Sequence, residues 1–123
     1  MRRAAETLGG GAFVFGVLPA IFPTRFGRWC GIVGADDPTV ATAIRSVGVR
    51  DAVIGLGLLR AVRRGDRSWR TWLLARAACD TGDTLAVALA IAKGARDRRF
   101  LGLGALALSA AAYGIALALR ARE

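Results

Sequence analysis

Two stretches of this chain place arginine and aspartate inside runs that otherwise have no polar face. Arg45, Arg50 and Asp51 lie in an apolar run from about Pro38 to Val62, and Arg76, Asp80 and Asp83 lie in the next one. Ala, Leu, Gly and Val surround each run on every side, whereas a soluble helix needs one apolar and one polar face. The 123 residues are 54% hydrophobic, which places the chain with integral membrane proteins. On a membrane-insertion scale an ionisable residue costs about 2.5–3.5 kcal/mol at a helix centre, so six unpaired ones cost roughly 15–20 kcal/mol. Only inward-facing pairs or a wet cavity relieve that burden, and such residues are functional candidates by default.

The apolar runs set the organisation. We read 1–123 as a single all-α domain, a four-helix transmembrane bundle with helices at about 8–22, 38–62, 69–92 and 100–119. The basic start Met1-Arg2-Arg3 before an apolar run resembles a signal peptide. No small-x-small cleavage site follows, so the run reads as a retained first helix. Gly9, Gly10, Gly11 and Gly16 permit close helix contact, and Pro19 predicts a kink or an early end. Glu6 falls at the interface. Residues 23–37 read as an interfacial piece carrying Phe26 and Trp29. Asp37-Pro38 is a helix-start signature, and Ser68 is a candidate cap for the following helix. Trp69 and Trp72 read as interface anchors, and Gly102, Gly104 and Gly114 as packing notches.

Charge by side suggests an orientation. Arg2, Arg3, the five arginines from Arg60 to Arg70, Arg120 and Arg122 make nine cations on one side. Arg25, Arg28, Lys93, Arg96, Arg98 and Arg99 make six on the other. The bias favours cytoplasmic termini in a bacterial plasma membrane. The net charge of +9 does not indicate nucleic acid, because it crowds short connections and forms no basic helix face with interleaved aromatics. With no histidine, a His-based metal site and a Ser-His-Asp triad are excluded. Cys30 and Cys79 do not form a metal spacing. Neither a metal nor another cofactor is expected.

The six buried ionisable residues sum to zero formal charge. Arg76, Asp80 and Asp83 are spaced by four and three, so they stack on one helix face, which Thr84 extends. Gly48, Asp51 and Gly55 share a face, where the glycines let a helix or a ligand approach the carboxylate. Arg45 and Arg50 lie about 120° and 100° round the helix from Asp51, so at least one should serve a neighbouring helix. Ser109 and Tyr113 on the last helix complete a candidate polar pocket. Such a set suits acid–base chemistry on a lipophilic small molecule, such as isomerisation, cyclisation or epoxide opening. Asp51 and Asp83 would act as acid and base, Asp80 as modulator, and Arg50 and Arg76 as electrostatic partners. Arg45, Gly48, Gly55, Thr84, Ser109 and Tyr113 would line the substrate site. The same residues suit a proton relay, or permanent pairing that fixes helix register and binds a partner helix. Four short helices enclose little volume, so a homo-oligomer is expected.

The pattern Arg45-x-x-Gly48-x-Arg50-Asp51-x-x-x-Gly55, followed by an aspartate late in the third apolar helix, carries a resemblance. It resembles a family of small four-helix integral-membrane proteins of unknown function, found in bacteria and in fungal natural-product gene clusters. The likeness runs from about residue 10 to 118. It implies the membrane fold and a loose association with biosynthesis, with Arg45, Arg50, Asp51 and Asp83 as signature residues and Asp80 matched less closely.

Overall fold

A computed structural model describes residues 1–121, so Arg122 lies outside the described residues. The described chain is all α, with five helices and no strand: α1 (Arg2–Ile21), α2 (Pro23–Trp29), α3 (Pro38–Arg64), α4 (Trp69–Ala92) and α5 (Arg98–Arg120). The additional helix is the short α2, formed where an interfacial segment was expected. Phe22 precedes a proline and leaves the helical region, while Pro23 needs no N–H at the start of α2. Pro19 neither ends nor interrupts α1. It sits in the last turn, buried, and α1 continues to Ile21.

Helix α1 starts six residues before the expected Leu8, because the head has a packing role. Ala5 is fully buried against Leu58, Val62, Leu73, Leu117 and Ala118, and this apolar cluster closes the end where both described termini lie. Glu6 accepts from Arg63 Nε at 2.7 Å at the same end. Asp37 starts α3 as its sequence predicts, accepting from the N–H groups of Thr39 and Val40 at 2.8 and 3.2 Å. Gly65 ends α3 two residues late in the left-handed region (φ +68°), and its N–H bonds back to Val62 O. Ser68 makes no side-chain cap. Asp66 accepts from the Ser68 N–H instead, and that bond holds the Asp66 carboxyl below its ordinary range. Asp97 starts α5 two residues early by accepting from the Arg99 N–H.

The helices alternate in direction and form two pairs, α1 on α3 and α4 on α5, joined by a less extensive α3–α4 contact. The first pair is held by glycine. A Cβ on Gly16 would lie 2.3 Å from Ala52 N, and one on Gly48 would lie 2.6 Å from both Ala20 N and Gly16 O. Two turns away, Gly55 and Gly9 face each other in the same reciprocal way. Gly10, Gly11 and Gly102 meet nothing within the chain, whereas Gly104 and Gly114 take Val87 and Ala77. Trp72 also has a packing role: its ring lies over Gly57, where a Cβ would come within 2.7 Å, and packs against the closing cluster.

By length and composition α1 and α5 can each cross a membrane. Only 28% and 22% of their apolar windows are buried within the fold. Helices α3 and α4 fall short of that hydropathy because they carry the ionisable residues.

Candidate functional site

Five of the six ionisable residues expected within the apolar runs meet in one series of alternating sign, Asp83–Arg50–Asp51–Arg76–Asp80, across the α3–α4 contact. Arg50 is its first fork. Its Nε and Nη2 donate to Asp51 Oδ1 at 3.0 and 2.8 Å, while Nη1 and Nη2 donate to Asp83 Oδ1 and Oδ2 at 3.2 and 2.7 Å. Arg76 is the second. Its Nε and Nη2 donate to Asp80 Oδ2 and Oδ1 at 2.9 and 2.6 Å, and its Nη1 forms an ion pair with Asp51 Oδ1 at 3.2 Å. Planar, bidentate guanidinium–carboxylate pairing is the geometry arginine is built for. Asp80 is 1% exposed, and Asp51 and Arg76 are each 8% exposed.

Two atoms in this series of charges make no hydrogen bond among the described residues. Every hydrogen bond to Asp51 falls on Oδ1, leaving Oδ2 free. Arg76 Nη1 is buried and makes no hydrogen bond, since its contact with Asp51 is an ion pair only. The mutual spacing of four and three on α4 foresaw the stack of Arg76, Asp80 and Asp83. The free atoms have no sequence signal, because they follow from which helix faces which.

The remaining candidate residues lie elsewhere. Arg45 stands outside the chain of charges. It is exposed, and its Nε donates to Ala20 O at 3.0 Å, capping the last turn of α1 where a cation complements the helix dipole. Its departure changes the balance: three carboxylates face two guanidiniums, and the cluster carries one formal negative charge in excess. Gly48 and Gly55 face α1, so the approach they permit is taken by a helix. Thr84 bonds to Asp80 O at 2.7 Å, and Ser109 to Ala105 O at 2.8 Å, each on its own helix. Tyr113 is half exposed. It lines a different recess.

Two recesses adjoin the cluster. One of about 370 Å³ is walled by Asp51, Arg76, Asp80 and Asp83 on one side and by apolar side chains of all five helices on the rest, among them Phe15, Phe26 and Leu106. The other, about 510 Å³, runs toward the terminal end past Arg3, Thr7 and Tyr113. The two share Phe15, Arg76, Leu106 and Ala110. Both lie between α1 and α5, which pack little on each other.

Among the described residues no group of His, Cys, Asp or Glu has the arrangement to hold a metal ion. Both cysteines are free thiols. Burial pushes Cys30 up, against a smaller opposing pull from Arg99. No family model, curated protein or solved structure matches the chain, so the site is read from its own geometry.

Proposed function

We propose that this is a membrane-embedded, cofactor-independent acid–base enzyme acting on a lipophilic small metabolite, as an isomerase, cyclase or epoxide-opening hydrolase. The observation that carries the reading is Asp51. One of its oxygens is fixed by two arginines while the other is free, and the residue walls an apolar cavity. A carboxylate held in place by one oxygen and open at the other is positioned for proton transfer. Asp83 is linked to it through Arg50. Asp80, gripped on both oxygens, modulates the pair.

The same reading makes α1, α3, α4 and α5 four membrane-spanning helices. Large apolar side chains point outward on all four, including Val14, Val53, Leu89 and Leu108, while charge lies inside. Such a surface needs a lipid cover. Both described termini lie at the end with more arginines, which supports a cytoplasmic placement. Gly10, Gly82 and Gly102 leave open notches where a second copy of the chain could pack.

The test is mass spectrometry of the purified protein incubated with host lipid and metabolite extract, wild type beside Asp51→Asn. A metabolite consumed by wild type alone, with both proteins equally folded, is the expected outcome. Equal consumption by wild type, Asp51→Asn and Asp83→Asn would sink the proposal. One observation favours a second reading: Arg50 reaches from α3 to Asp83 on α4, and Arg76 reaches back to Asp51. These pairs stitch helices together, as in a non-catalytic membrane subunit. That reading predicts that each Asp→Asn change lowers assembly in proportion to any activity lost.

A further inference from the structure

The larger recess, about 510 Å³, changes polarity with depth. It runs between α1 and α5 from the end of the bundle where both described termini lie, and Arg3 stands at its rim. Thr7 and Tyr113 come next, at one level, because Leu8 Cδ2 lies 4.0 Å from where a Cβ on Gly114 would stand. Beneath them the lining is Gly11, Ala12, Phe15, Leu106 and Ala110. Arg76 closes the deep end and offers a ligand nothing, since Asp80 and Asp51 hold it and its unbonded Nη1 is buried. The three carboxylates of the charged series line the other recess, and no acid lines this one.

The rim is a site for an anion that the chain itself does not supply. Arg3 is exposed, and among the described residues no carboxylate pairs with it; Glu6, three residues on, is held by Arg63. The same end carries Arg2, the five arginines from Arg60 to Arg70 and Arg120, against Glu6 and Asp66 alone among the described residues. An arginine fork takes a phosphate through two parallel bonds. The Thr7 hydroxyl is spent on Arg3 O at 2.9 Å, which leaves the Tyr113 hydroxyl as the donor one level down.

The apolar part has the dimensions of a lipid chain. From Arg3 to Phe15 helix α1 rises about 18 Å, close to one leaflet's share of a hydrocarbon core of about 30 Å. Because α1 and α5 pack little on each other, a chain can enter from the side.

We infer that this recess seats one anionic phospholipid from the leaflet at the terminal end, its phosphate on Arg3, an ester carbonyl at Tyr113 and one acyl chain between α1 and α5 down to Phe15. The inference goes beyond the acid–base reading and rests only on the membrane placement.

The experiment is photolabelling of the full chain in phosphatidylcholine nanodiscs with a trace of phosphatidylglycerol carrying a diazirine in one acyl chain. Peptide mapping locates the label, while phosphatidylglycerol, phosphatidylcholine and oleate compete at matched mole fraction. Label is expected on the peptides carrying Gly11 to Phe15 and Leu106 to Ala110. Phosphatidylglycerol should compete about fivefold better than phosphatidylcholine, the effect of one arginine near a membrane surface. Arg3→Gln should abolish that preference, whereas Arg67→Gln, at the same end but outside the recess, should keep it. Leu106→Trp, at an exposed position, should fill the recess and clear the label from Gly11 to Phe15.

Equal competition by phosphatidylcholine would leave an unselective acyl groove, and stronger competition by oleate would make it a fatty-acid site. Equal losses in Arg3→Gln and Arg67→Gln would mean a diffuse basic surface, and equal label on the α4 peptides carrying Leu85 and Leu89 would mean general lipid contact. Each overturns the inference. A chain that does not enter nanodiscs removes the membrane placement and this site with it. Metabolite conversion unaffected by Asp51→Asn, beside an Arg3-dependent lipid preference, removes the acid–base proposal alone.

Discussion

Toward α1, helix α3 presents Gly48 and Gly55 and meets backbone; toward α4 it presents Arg50 and Asp51 and meets charge. The first seam has no side chain to spare, and its helices approach to the limit set by main-chain atoms. Contact of that kind gains dispersion and weak Cα–H···O bonds and leaves no cavity. The second seam is bridged by long side chains, so space opens beside it, and the 370 Å³ recess lies there with four of the five charged residues in its wall. One helix thus fixes the scaffold with one face and holds the charged groups with the other.

The comparison breaks most readily on the glycine side. Gly16→Val drives a side chain into Ala52 N and should cost about 3 kcal/mol, the top of the usual overpacking range, while Gly10→Val, facing open space, should change stability little. Unfolding in mixed detergent micelles, followed by circular dichroism, measures both. Equal losses would mean that the seam is not set by backbone contact. Next comes Asp80→Ala, which removes both bonds to Arg76 but leaves Asp51 at 3.2 Å. Stranding a buried charge costs about 3–5 kcal/mol, and the remaining partner should hold the loss to roughly 2–3 kcal/mol in the same assay. A neutral result would show that the arginine is already wet. The smallest effect is the coupling of Arg50 and Asp83, each one-third exposed. A double-mutant cycle with Arg50→Gln and Asp83→Asn should return about 0.6–1 kcal/mol, as expected for an interhelical polar pair partly screened by solvent. A coupling near zero would leave the pair a bystander to α3–α4 packing.

Much of this difference is legible in the residues. The four-and-three spacing of Arg76, Asp80 and Asp83 places them on one face, and the angle between Arg45 and Asp51 implies that an arginine serves another helix, as Arg45 does at Ala20 O. Asp37-Pro38 fixes the start of α3. What is not legible is mutual: Gly9 and Gly16 on α1, and Gly48 and Gly55 on α3, are each separated by seven, yet nothing local pairs one set with the other. Trp72 resting on Gly57, and the loss of Arg45 from the charge balance, have the same origin. Both depend on which faces meet, and helical period is silent on that. The ends of α1 and α5 were misplaced for a different reason, because Ala5 and Asp97 act through a neighbour's packing and a cap that no apolar run marks.

Arg50 sits beside Asp51 on α3, and Arg76 sits one turn before Asp80 on α4. For a chain delivered to a bilayer one segment at a time, each of these helices therefore brings its own counter-ion. Neither has to find a partner before it can leave the insertion machinery, and the penalty for a bare charge is relieved inside each segment. Asp83 is the exception, since its bonds come from the preceding helix. Its pairing therefore forms only once α3 and α4 have met, so this contact reports that the two helices are in register.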